Sequence, residues 1–211
     1  MSLTKDEMAA RVAQDIPSGA YVNLGIGQPT LVADHLDPGQ GVVLHTENGM
    51  LNMGRAAVGD EIDPDLINAG KIPVIAEPGA AFFHHADSFA MMRGGHLDVC
   101  VLGAFQVSTA GDLANWHTGE PDAIPAVGGA MDLAIGAKQV WVMTDLLTKD
   151  GQSKLVEACT YPLTGKGCVS RVYTDRAVIA VGAAGASVIE LFGTTLDELN
   201  ELTGLSLGMA Q

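Results

Sequence analysis

The chain has 211 residues, 47% hydrophobic and 17% charged, with 26 glycines, a balance that excludes disorder and suffices for a full core. Its net charge of −14 argues against nucleic acid or an anionic membrane surface as a partner. Three cysteines (Cys100, Cys159, Cys168) without CxxC spacing give no disulfide framework, and no signal-peptide or membrane-spanning pattern stands out, so a cytoplasmic location is expected.

Thr4-Lys5-Asp6-Glu7 reads as a capping box opening a helix with Met8, Val12 and Ile16 on one face, ended by Pro17-Ser18-Gly19. A strand from Tyr21 to Leu24 follows and runs into Gly25-Ile26-Gly27-Gln28-Pro29. Thr30 to Leu36 reads as a short helix, Asp37-Pro38-Gly39 as a turn, and Val42 to His45 as the next strand. Residues 52–70 lack periodicity and read as a long loop. Beyond it the pattern predicts a strand over 71–76, a helix over 87–93, and a buried strand over 97–102. A helix over 131–137 and a strand over 139–144 come next, then two strands within 169–181 meeting at Thr174-Asp175. Thr195-Leu196-Asp197-Glu198 is a second capping box, opening a helix stopped by Gly204. Strands alternating with short helices predict an α/β layered fold with a largely parallel sheet, as one domain over residues 1–211.

The tripeptide Glu47-Asn48-Gly49 closes the apolar run from Gly41 to Thr46, which places a carboxylate at a strand's C-terminal end. Open α/β sheets gather their reacting groups along that edge. A glutamate with an ordinary pKa of about 4.3 is ionised at neutral pH and acts as a nucleophile without a general base. No serine or cysteine nucleophile motif competes with it. Gly25-Ile26-Gly27 lacks the third glycine of a dinucleotide loop, since position 30 is threonine. His84, His85, Asp87 and His96 have no metal-ligand spacing and read as structural, so no metal is expected.

Around these residues the chain resembles the B (beta) chain of the family I CoA-transferases, the 3-oxoacid group. The family's active-site signature is matched by Leu44-His45-Thr46-Glu47-Asn48-Gly49-Met50-Leu51-Asn52. Thr46 replaces a serine there, and Asn52 stands where glycine or alanine is usual. Further matches include Asn23-Leu24-Gly25-Ile26-Gly27, Phe82 to Phe89, Met92 to His96, Leu102 to Ser108, Gly111 to Trp116, Gly128 to Leu133 and Cys159 to Gly165. Within the family, Trp116-His117-Thr118-Gly119 and Thr160-Tyr161-Pro162 look closer to the 3-oxoadipate enzymes than to the acetoacetate enzymes.

The resemblance implies an α/β fold of the NagB/RpiA-like CoA-transferase type and ping-pong exchange between succinyl-CoA and a 3-oxoacid through a glutamyl-CoA thioester on Glu47. It implies a CoA thioester as substrate and no permanently bound cofactor. Each attack creates an oxyanion, so the site needs backbone or amide donors. Asn23, Gly25, Gly27, Gln28, Asn48 and Gly49 are the expected oxyanion or substrate contacts, and Gly128 and Gly129 the expected CoA contacts. The implied partner is a separate CoA-transferase A (alpha) subunit, in an A2B2 hetero-oligomer. That partner, or a small local cluster, is expected to supply the counter-charge for the CoA phosphates, since this chain has 11 Lys and Arg against 25 Asp and Glu. Two other readings stand beside this one: an acetoacetate enzyme, and a non-catalytic ligand-binding subunit on the same scaffold. A nucleotide-dependent oxidoreductase is the rival from outside the class.

Overall fold

The computed structural model of the chain describes residues 1–119 and 127–210. Ten strands form one sheet, and the centre of that sheet is parallel. Its first four strands are β1 (Tyr21–Leu24), β2 (Val43–Thr46), β3 (Met50–Ala56) and β4 (Val74–Phe82). β5 (Val99–Leu102) joins them, whereas β6 (Gln106–Ser108), β7 (Leu113–Ala114) and, further on, β9 (Leu155–Val156) make a separate three-stranded sheet. β8 (Gln139–Met143), β10 (Val169–Tyr173), β11 (Ala177–Ala180), β12 (Ser187–Leu191) and β13 (Gly208–Met209) complete the large sheet. Its order is β13-β12-β11-β10-β8-β5-β1-β2-β3-β4. The run β10-β8-β5-β1-β2 is parallel throughout, with antiparallel β11 and β12 on one flank and β3 and β4 on the other.

Helices cover both faces, which is why the central strands carry apolar residues at consecutive positions. α1 (Lys5–Asp15) packs Met8, Val12 and the following Ile16 with Val22, Leu24, Val99, Val101, Trp141 and Met143. α2 (His85–Arg93), α3 (Ala130–Gly136) and α4 (Leu196–Thr203) lie on the other face, where Met92, Leu133 and Leu199 meet Cys100, Leu102, Val140 and Val142. Strand neighbours thus divide between two cores with period two. Both capping boxes form: Thr4 Oγ1 accepts from the Glu7 N–H at 3.2 Å, and Thr195 Oγ1 from the Glu198 N–H at 3.2 Å. Gly204 ends α4 in the left-handed conformation, φ 69°.

The chain leaves β1 toward β2 on one side, and β5 continues toward β8 on the other. The C-terminal ends of β1 and β5 are therefore a topological switch point, where open α/β sheets place their binding crevice.

Three expectations shift. Residues 52–70 are not a continuous loop, because β3 runs to Ala56; and the strand expected over 71–76 is the nine-residue β4, over Val74–Phe82. The cause is a register break between Leu51 and Met53, which hides the alternation. The segment expected as a helix from Thr30 to Leu36 is a 3-10 helix over Gln28–His35 with Pro29 in its first turn.

Asn52 sits at that break with φ 58°, and its Nδ2 donates to the Pro78 carbonyl at 3.0 Å. A left-handed position suits glycine first and asparagine next, which accounts for the departure at this place. Gly49 has φ 111°, and a Cβ there would run into the Phe83 carbonyl oxygen. Gly49→Ala is therefore expected to lower unfolding stability by about 3 kcal/mol and Asn52→Ala by about 1 kcal/mol, with Asn52→Gly close to neutral in urea melts.

Candidate active site

β1 and β2 run side by side with Asn23 opposite His45, and two residues further on β2 delivers Glu47 to the switch point. A cavity of about 390 Å³ opens there. The turn after β1 (Gly25, Ile26, Gln28), the turn after β5 (Gly103, Ala104, Phe105), Thr144 after β8 and the Gly128-Gly129 segment before α3 form its wall. Among the described residues Glu47 is the one charged group lining it.

The Glu47 carboxylate is partly buried, and burial pushes its pKa up from the ordinary range, with an opposing pull from the nearby His85. It lies hard against Gly129: a Cβ at 129 would occupy the place of Glu47 Oε2 and would sit 3.3 Å from Phe89 Cζ. Phe89 comes from α2 and Gly129 from the start of α3. The two helices are tied together by Arg93 Nε donating to Asp132 Oδ1 at 2.6 Å. A Cβ at 129 would therefore displace the Glu47 carboxylate, although the backbone there, at φ −83°, accepts any residue.

Of the residues expected to bind, Asn23, Gly25, Gln28, Glu47, Gly128 and Gly129 line the cavity, whereas Gly27, Asn48 and Gly49 do not. The Gly27 carbonyl accepts the Thr30 hydroxyl at 2.8 Å and so opens the 3-10 helix. Asn48 Nδ2 donates to the Ile67 carbonyl at 2.8 Å, fastening the segment between β3 and β4. The Gly49 N–H closes the turn onto the Thr46 carbonyl at 3.1 Å.

Several expected donors already have acceptors. The Gly25 N–H bonds the Val101 carbonyl at 2.8 Å, and a Cβ at 25 would stand 3.0 Å from that oxygen, so this glycine serves the close approach of β1 to β5. Asn23 Nδ2 lies 3.0 Å from His45 Nδ1 and 3.1 Å from the His45 carbonyl, while Gln28 Nε2 donates to Asp145 Oδ2 at 3.0 Å. No carbonyl among the described residues takes the Gly129 N–H.

Ser88, Phe89 and Gly103-Ala104-Phe105 fall within stretches that carry the family resemblance, but sequence alone assigned none of them a role in the site, and Asp145 after β8 carried no signal. The three cysteines are free, and burial pushes the Cys159 and Cys168 thiols up to about 11, so neither is poised as a thiolate. No cluster of three metal-ligating side chains occurs among the described residues.

Residues 5–190 match the family described as Coenzyme A transferase. The B chain of the 3-oxoadipate CoA-transferase of Pseudomonas putida is 63% identical over 97% of this chain and 96% of its own. The B chain of the succinyl-CoA:3-ketoacid coenzyme A transferase of Helicobacter pylori is 46% identical over 94% of this chain and 96% of its own. Among solved structures, the acyl-CoA transferase of Escherichia coli O157:H7, a thioester complex with CoA, superposes with a TM-score of 0.73 at 20% identity. That match covers 100% of this chain and 42% of the other, and at this identity it speaks for the fold alone.

Proposed function

The chain belongs to the coenzyme A transferase family, and from that premise we propose that it is the B (beta) half of a two-subunit enzyme moving CoA from succinyl-CoA to 3-oxoadipate. The observation that carries the reading is Glu47 itself, the lone charged group among the described residues lining a cavity at the switch point, pressed against Gly129. A binding module needs no such carboxylate.

In the proposed reaction a Glu47 carboxylate oxygen attacks the thioester carbon of succinyl-CoA. The C–S bond breaks, CoA leaves as thiolate, and a mixed anhydride joins Glu47 to succinate. The thiolate attacks the glutamyl carbonyl carbon and succinate leaves with the anhydride oxygen, so Glu47 now carries the CoA thioester. The acceptor carboxylate attacks that glutamyl carbon and expels the thiolate. The thiolate then attacks the acceptor's acyl carbon, releasing the new thioester and restoring Glu47. No proton is transferred at any step, consistent with a lining that holds no histidine or lysine among the described residues. Covalent catalysis divides the exchange into easier halves.

The N–H of Gly129 is the proposed donor to the oxyanions, supported by its contact with the nucleophile and by the engagement of the Gly25 N–H and the Asn23 and Gln28 amides elsewhere. Gly128 beside it is the proposed CoA contact. The reaction needs no permanently bound cofactor or metal. The alpha partner, in an A2B2 assembly, is proposed to bring the cations for the CoA phosphates and for a dicarboxylic acceptor. No helix among the described residues is long and apolar enough to cross a membrane, and the proposed location is the cytoplasm.

The test is acceptor discrimination by the complex with its partner. With succinyl-CoA as donor, kcat/KM for 3-oxoadipate is expected to exceed that for acetoacetate by about tenfold or more, on the order of what one buried polar contact confers. The opposite order transfers the assignment to the acetoacetate enzymes.

A further inference from the structure

Behind the cavity wall lies a chain of buried hydrogen bonds that the transfer reaction does not itself use. Ser88, fully buried on α2, has its Oγ 3.1 Å from the Thr46 carbonyl and 3.0 Å from His45 Nε2. On the other side of the imidazole, Asn23 Nδ2 lies 3.0 Å from His45 Nδ1 and 3.1 Å from the His45 carbonyl. His45 and Asn23 are almost wholly buried, and the Phe83 ring stacks against the imidazole with centroids 6.3 Å apart.

Both ends of this chain touch backbone carbonyls, which only accept, and that fixes the direction of every link. The Ser88 hydroxyl donates to the Thr46 carbonyl, so its oxygen accepts from His45 Nε2–H. The Asn23 amide must present its NH2 to the His45 carbonyl, so His45 Nδ1 faces a donor and carries no proton. His45 is thus neutral, in the Nε2–H tautomer. Burial acts the same way, holding its pKa down at about 4.

The carbonyl at the end of the chain belongs to the peptide whose N–H is that of Glu47. It also receives the Gly49 N–H, and Thr46 Oγ1 receives the Met50 N–H at 3.2 Å. Ser88 therefore anchors the peptide entering Glu47 to the same helix that sets Phe89 beside the carboxylate.

We propose that Ser88 and His45 are positioning residues for Glu47, holding its backbone in the attacking orientation and aligning Asn23 in the cavity wall. This role rests on the reading of Glu47 as nucleophile. Misplacing a reacting group by about 1 Å costs about a hundredfold in rate, so the chain need not touch substrate to matter.

The experiment uses three variants in complex with the alpha partner: Ser88→Ala, His45→Asn, and both together. His45→Asn keeps an acceptor for Asn23 and severs the bond to Ser88. Each single variant is expected to slow glutamyl-CoA formation from succinyl-CoA in single turnover by about ten- to a hundredfold, with KM nearly unchanged. The double variant is expected to be no slower than the worse single, because both cut the same link. The acid limb of the rate is expected to move to lower pH as a loosened Glu47 becomes better hydrated. Variants that melt earlier yet form thioester at the wild-type rate, with an unmoved acid limb, overturn the proposal; so do losses that multiply in the double variant. If the variants do not fold, 15N NMR of the histidines in the unaltered chain decides. A neutral Nε2–H imidazole at position 45 down to about pH 5 sustains the chain, and an Nδ1–H tautomer or an imidazolium breaks it. A wild-type complex that forms no thioester defeats the transfer reading and this role together, whereas a normal wild type with unaffected variants defeats this role alone.

Discussion

Glu47→Gln is expected to abolish CoA transfer, with kcat/KM down by at least about 10⁴-fold, and at the same time to raise the thermal midpoint at neutral pH. Removal of the proposed covalent nucleophile leaves only binding and electrostatic effects, hence the size of the loss. The stability gain follows from the carboxylate's surroundings. Burial raises the Glu47 pKa in the folded chain above its unfolded value of about 4.3. Between the two values the folded state binds more protons than the unfolded state, so stability falls as pH rises through that window and stays lowered above it. Glutamine carries no charge and removes that deficit. Melts of both proteins are expected to converge below about pH 3, where Glu47 is protonated in either state, and to separate in favour of the variant toward pH 7. A variant less stable than the wild type at pH 7 contradicts the assigned environment of the carboxylate. The same upward shift is expected to move the acid limb of wild-type thioester formation to higher pH than an unburied glutamate would set.

Gly129→Ala is the second change with a large expected effect. Its Cβ takes the place of Glu47 Oε2 with Phe89 Cζ 3.3 Å away, so the carboxylate has to turn aside. Transfer is expected to fall about a hundredfold or more, against a stability loss of about 1–3 kcal/mol from overpacking. Gly208→Ala is the control, since a Cβ at that position, on the far edge of the sheet in β13, meets nothing within 4 Å. Wild-type turnover by Gly129→Ala contradicts the contact between the nucleophile and this glycine.

What could be read from the sequence was local in origin. Glu47 stood out because a strand end, a carboxylate and a turn glycine are consecutive in the chain, and both capping boxes because four residues define them. β3 was obscured because Asn52, in the left-handed conformation, breaks the alternation that betrays a strand, and the second half of β4 because residues 77–80, with Pro78 and Gly79, bulge between the Met53–Ala76 and Leu51–Ala81 pairs. The small sheet was missed for another reason: β7 and β9 are two residues long, too short for a period, and Val107 pairs with Leu155 far along the chain. Site roles were harder still. Whether Asn23 or Gln28 offers a donor or an acceptor to the cavity depends on His45 and Asp145, partners supplied by strand register and by the end of another strand. Ser88 looked like any helix serine until α2 was packed on the end of β2.

The most direct test of the central claim is peptide mass mapping of the chain, mixed with succinyl-CoA in the presence of its alpha partner and then quenched. The expected result is a CoA thioester on the peptide containing Glu47, lost when 3-oxoadipate is added before the quench. An unmodified Glu47 peptide from a folded, assembled complex contradicts covalent transfer through this residue and favours the ligand-binding reading.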